Sequence, residues 1–171
     1  LYSIGYFAHE DPPRAPGAFW FWMNLLLASM ALVLTARHGV AFLVLWEIMT
    51  IASFFLVAWD SGREDVRRAS LTYLVASHLG VAFLLLFFLL LRRETGSFDF
   101  PGAGALAAPG AGGAGQFAAV APAALFLLAL LGFGTKAGLA PLHVWLPEAH
   151  PAAPSPVSAL MRVTIVNSSP R

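Results

Sequence analysis

Four runs of about twenty apolar residues dominate the chain, and about 20 helical residues are what a bilayer core demands. They fall at about residues 18–36, 39–59, 72–91 and 117–138. Their continuous apolar character favours helices over the alternating, roughly ten-residue strands of membrane barrels. With 58% hydrophobic and 11% charged residues in a length of 171, too little polar surface remains to cover a soluble domain. The predicted fold is all-α and integral to the membrane, with about four to five transmembrane helices and one of them broken. A multi-pass protein of a cell membrane, most simply the bacterial inner membrane, is expected.

Ten basic and nine acidic side chains give a formal net charge of +1, so nothing marks a nucleic-acid partner. The absence of cysteine removes thiolate chemistry, iron–sulfur ligation and disulfides. Residues 1–17 carry Glu10, Asp11 and Arg14 and read as a polar extramembrane loop rather than a signal peptide. Arg37 and His38 form a tight turn, and Asp60 to Arg68 reads as a compact charged loop. Residues 92–116 are rich in Gly, Ala and Pro and read as an extramembrane connection.

After Lys136 the pattern breaks. Pro141, Pro147, Pro151, Pro154 and Pro156 crowd one apolar stretch, and no regular spanning helix runs through such a series. Residues 139–155 are therefore read as a broken segment, with Gly138 and Pro141 at the break. Irregular backbone at membrane depth is tolerated only against protein or a water-filled cavity, and such breaks mark ion sites.

Two charged residues fall inside the clear spans. Glu47 lies near the middle of the second, where an ionised group costs about 2.5 to 3.5 kcal/mol on insertion scales. A proton carrier or the acidic half of a buried pair explains it, as does a structural hydrogen bond between helices. Lys136 is the sole lysine in a chain that otherwise uses arginine. A desolvated ammonium can release its proton whereas a guanidinium cannot, which favours a proton-handling role over a snorkelling end residue. Movement of Glu47 toward or away from Lys136 would load or release that proton.

His78, in the third span, fits either a relay or an interhelical hydrogen bond. His143 and His150 flank the break with Glu148 between them and read as polar groups at a wet entrance. Proline-disrupted spacing gives no helical ligand face, so no metal site is expected.

The runs FLVLWEIMTIASFFLVAW and GTKAGLAPLHVWLPEAHPAAPSPVSAL resemble the antiporter-like membrane subunits shared by respiratory complex I, Mrp-type cation/proton antiporters and group 4 hydrogenases. The second run is most like the hydrogenase-4 component B and formate hydrogenlyase subunit 3 branch. The resemblance implies a five-helix repeat with one broken helix, in which Glu47 and Lys136 match the family's helix glutamate and its lysine beside the break. His78 is a looser match. It also implies that the subunit holds no cofactor and no catalytic centre of its own. The implied partners are other membrane subunits and a peripheral redox arm of an oxidoreductase complex.

The resemblance covers about residues 16–161, roughly one repeat of a duplicated unit. Residues 162–171 depart from the pattern and read as an aberrant or truncated tail. The expected function is that of a fragment of a proton-translocating membrane subunit, using a buried Glu/Lys axis. A Na⁺/H⁺ antiporter subunit and a non-transporting structural fragment are the alternatives.

Overall fold

The computed structural model describes residues 16–100, 122–154 and 156–158. The polar segment 1–15, most of the glycine-rich connection, the first residues of the fourth span and the tail 162–171 lie outside the described residues. Within them the architecture is all-helical. Helix α1 is Pro16–Thr35, α2 is Gly39–Val57 with a 3₁₀ turn at Ala58–Asp60, and α3 is Glu64–Thr95. Helix α4 is Pro122–Ala137 and α5 is the short Leu146–Ala152. The first three are long and apolar enough to cross a membrane, and α4 is a shorter apolar helix of 16 residues.

Helix α3 exceeds its apolar run at both ends. Its 32 residues rise about 48 Å, well beyond the roughly 30 Å hydrocarbon core. Residues 64–68, expected in a loop, form its first turn because Glu64 and Asp65 place negative charge at the positive end of the helix. Arg92 and Arg93 complement the other end. There Gly96 takes the left-handed φ of 78° that closes a helix, and its N–H donates to the Arg92 carbonyl at 2.7 Å.

That end of α3 is clasped to the α1–α2 turn. Gly39 N–H donates to the Phe98 carbonyl and Phe100 N–H to the Arg37 carbonyl, both at 2.8 Å. His38 caps α2 within the turn, its Nδ1 accepting from Val40 N–H at 3.2 Å. The Arg92 guanidinium lies 4.7 Å from the Phe98 ring centroid.

Apolar burial gives little drive for helix association inside lipid, so close fit has to supply it. Helices α1 and α2 pack as a hairpin, with Trp22 stacked on Phe55 at 4.2 Å between centroids and Phe19 set edge-on to Trp59. Helix α4 runs antiparallel to α3, and two glycines let the backbones approach. A Cβ on Gly132 would lie 2.6 Å from the Leu84 side chain, and one on Gly80 would lie 3.2 Å from the Gly132 carbonyl oxygen. The core then extends through Tyr73 to Trp145, Ala149 and Val157, so the segment after the break docks onto the bundle.

Candidate functional site

The break begins at Gly138, whose φ of 70° ends α4 three residues before Pro141. Leu139 N–H reaches back to the Gly134 carbonyl at 2.9 Å, the six-residue closure typical of a left-handed helix end. This diverts the amide that a continuing helix would give to the Thr135 carbonyl. The Trp145 indole Nε1 takes its place, donating to Thr135 O at 2.7 Å. The chain turns through a cis Ala140–Pro141 bond and resumes as α5 at Leu146.

Lys136 occupies the last turn of α4, immediately before this closure. Its half-buried ammonium donates to two hydroxyls on other helices, Thr50 Oγ1 of α2 at 3.1 Å and Tyr73 OH of α3 at 2.5 Å. The Tyr73 phenol also contacts Ser53 Oγ of α2. Ser53 in turn donates within its helix, to Met49 O at 2.8 Å or Thr50 O at 3.0 Å, and Thr50 donates to Trp46 O at 3.0 Å. Thr50, Ser53 and Tyr73 are buried, so the lysine reaches into the junction of α2, α3 and α4.

Glu47 lies one helical turn from Thr50 but engages a different partner. Its Oε2 stands 3.6 Å from His78 Nε2 of α3, an ion-pair distance. His78 Nδ1 lies 3.0 Å from the Leu74 carbonyl oxygen, and because a carbonyl only accepts, Nδ1 carries a hydrogen. A favourable contact through Nε2 then needs a further proton, on the imidazole or on the carboxyl group. Glu47 is 29% and His78 54% exposed, so this pair sits toward the outside of the described bundle while the lysine cluster sits inside it. Among the described residues no ion pair joins Glu47 to Lys136.

The remaining candidates stand apart. His143 is exposed in the turn before α5, where its carbonyl accepts from Leu146 N–H at 2.9 Å, and it bonds neither Glu47 nor Lys136. His150 lies within α5, and Glu148 is exposed in the first turn of that helix. Among the described residues no three His, Cys, Asp or Glu side chains gather as a metal site would require. Sequence reasoning missed Thr50, Ser53, Tyr73 and Trp145. A signal existed for the first two, which follow Glu47 at steps of three along an otherwise apolar helix.

Comparison with known proteins identifies the family and its fold. The family model described as NADH:quinone oxidoreductase/Mrp antiporter, transmembrane, matches residues 36–170. The chain is 40% identical over 167 residues to hydrogenase-4 component B of Escherichia coli (strain K12), covering 97% of this chain and 23% of that protein. It is 34% identical over 167 residues to NADH-quinone oxidoreductase subunit L of Mycobacterium tuberculosis (strain ATCC 25618 / H37Rv), covering 94% and 24%. A solved structure of respiratory complex I from Thermus thermophilus with bound aureothin contains a similar chain. It aligns with a TM-score of 0.67 and 30% identity, over 84% of this chain and 30% of that one. The chain thus spans about a quarter of the length of the curated relatives it matches. It is a multi-pass membrane protein and belongs to the NADH:quinone oxidoreductase/Mrp antiporter transmembrane family.

Proposed function

We propose that the chain is a proton-conducting segment of a membrane subunit in a respiratory or hydrogenase-type oxidoreductase complex. The observation that carries this reading is the placement of its sole lysine at a helix break, held by neutral hydroxyls one turn from a carboxylate. Lys136 is the group that takes up and releases the proton. The Glu47–His78 pair is the neighbouring station on α2 and α3.

Opposite charges at short range favour both ionised forms. An approach of the Lys136 ammonium to Glu47 therefore retains its proton, and withdrawal to the hydroxyls favours release. Water entering at the break would accept or supply that proton, with the exposed His143 beside it. The segment has no redox group of its own in this reading, and electron transfer in partner subunits drives the movement. The relatives' complexes supply the model for those partners, both membrane subunits and a peripheral redox arm.

The test is made in an intact subunit within its assembled complex. Lys136→Ala and Lys136→Arg are reconstituted into vesicles, and proton uptake is followed during turnover. Both variants should lose uptake, the first for want of a titrating group and the second because a guanidinium does not release its proton. Normal uptake in both would sink the assignment.

A further inference from the structure

We infer that Tyr73 is the positioning residue of Lys136, a phenol that holds the ammonium at the junction of α2, α3 and α4 and away from Glu47. Its bearing on transport rests on the proposed role of Lys136, but its hold on the lysine does not.

The direction of each hydrogen bond follows from donor counting. An ammonium has three hydrogens and no lone pair, so Tyr73 OH and Thr50 Oγ1 must both accept from Lys136. The single phenol hydrogen then goes to Ser53 Oγ, and the Ser53 hydrogen goes to the Met49 or Thr50 carbonyl. Thr50 likewise spends its hydrogen on the Trp46 carbonyl. Both hydroxyls thus present lone pairs to the lysine. The chain also stops on backbone carbonyls, which cannot pass a proton on, so it is a holding device rather than a conduit.

Three further features make the phenol more than a space filler. Tyr73 is 1% exposed, and a buried phenol needs polar partners, which here are Lys136 and Ser53. The Lys136 Nζ lies 4.8 Å from the Tyr73 ring centroid, at the hydroxyl edge of the ring rather than over its face, so the hydroxyl oxygen is the group that attracts the ammonium. The Trp145 ring meets Tyr73 edge-on at 5.1 Å while its indole N–H holds the Thr135 carbonyl, next to Lys136 in sequence. The position of the phenol is thereby tied to the geometry of the break.

The lone lysine makes the hold directly measurable. Lysine labelled with ¹⁵N at Nζ gives one side-chain signal from the chain in lipid nanodiscs, and exchange of the ammonium hydrogens with water reports how firmly they are bonded. Tyr73→Phe removes the hydroxyl and keeps the ring facing Trp145. Exchange should accelerate about ten-fold, the scale of one lost hydrogen bond to a charged group, while helical circular dichroism stays at the wild-type value. Unchanged exchange in a folded Tyr73→Phe chain overturns the inference. Should Tyr73→Phe lose helical signal, Ser53→Ala decides: faster exchange supports the hold, and wild-type exchange overturns it. Loss of proton uptake in Lys136→Ala is read separately in the assembled complex, so failure of the transport reading and failure of the Tyr73 assignment are distinguished.

Discussion

The Trp145 indole nitrogen donates to the Thr135 carbonyl across the gap between α4 and α5. A side chain beyond the break thereby replaces a backbone amide that the break has turned elsewhere. Trp145 is 4% exposed, so removing its donor leaves a carbonyl without water to replace the bond. Trp145→Phe, which keeps an aromatic ring against Tyr73, should destabilise the fold by about 1–3 kcal/mol. Denaturant titration in detergent micelles, followed by helical circular dichroism, checks this; a midpoint equal to wild type would remove the indole's capping role.

The α3–α4 contact depends on a missing side chain. Gly132→Ala brings a methyl within 2.6 Å of Leu84, which is fully buried and has little room to yield. The expected cost is about 1–3 kcal/mol, the usual range for overpacking. Adding Leu84→Ala should recover part of the loss by opening the space, and a double-mutant cycle on thermal stability measures the recovery. Strict additivity would show that the two positions do not meet.

Gly138 carries the break through its backbone. At φ 70° a Cβ is disfavoured, so Gly138→Ala should cost about 1–2 kcal/mol. The nearest neighbour of that Cβ is a Leu146 methyl at 3.4 Å, so the penalty comes from the backbone rather than from a clash. Gly138→Asn, whose side chain tolerates left-handed φ better, should fall between wild type and alanine in the same unfolding assay. Asparagine destabilising more than alanine would contradict the conformational explanation.

Glu47 and His78 should behave as a unit. His78→Leu leaves the carboxylate without its partner on the outer side of the bundle and should lower the yield of folded chain. Glu47→Gln, which removes the charge, should restore much of it when combined with His78→Leu, because unpaired charge is the costly state. Monodisperse recovery on size-exclusion chromatography is the measurement. Equal losses in the single and double variants would mean that the two side chains do not pair.

The all-helical architecture was legible in the sequence because it depends on a local property, apolar length, and Glu47 and Lys136 stood out there through the rarity of charge. Partnership was not. A membrane helix is apolar on every side, so periodicity does not reveal which face meets a neighbour, and Glu47 and His78 gave no sign of sharing a contact while Lys136 turned elsewhere. Tyr73 read as one aromatic among many, although Tyr73, Ser77 and Gly80 recur at helical spacing and are all buried. The start of α3 was misplaced for a related reason. Residues 64–68 look like a loop by hydropathy, but their acidic pair suits a helix N-terminus.

The bonds joining Arg37 and Gly39 to Phe100 and Phe98 fasten the α1–α2 turn to one end of α3. Lys136, Tyr73 and the break lie toward the opposite end of α3. The two ends of α3 are thus held by different means, one by backbone hydrogen bonds to the α1–α2 turn and the other by the buried core that Tyr73 shares with Trp145, Ala149 and Val157.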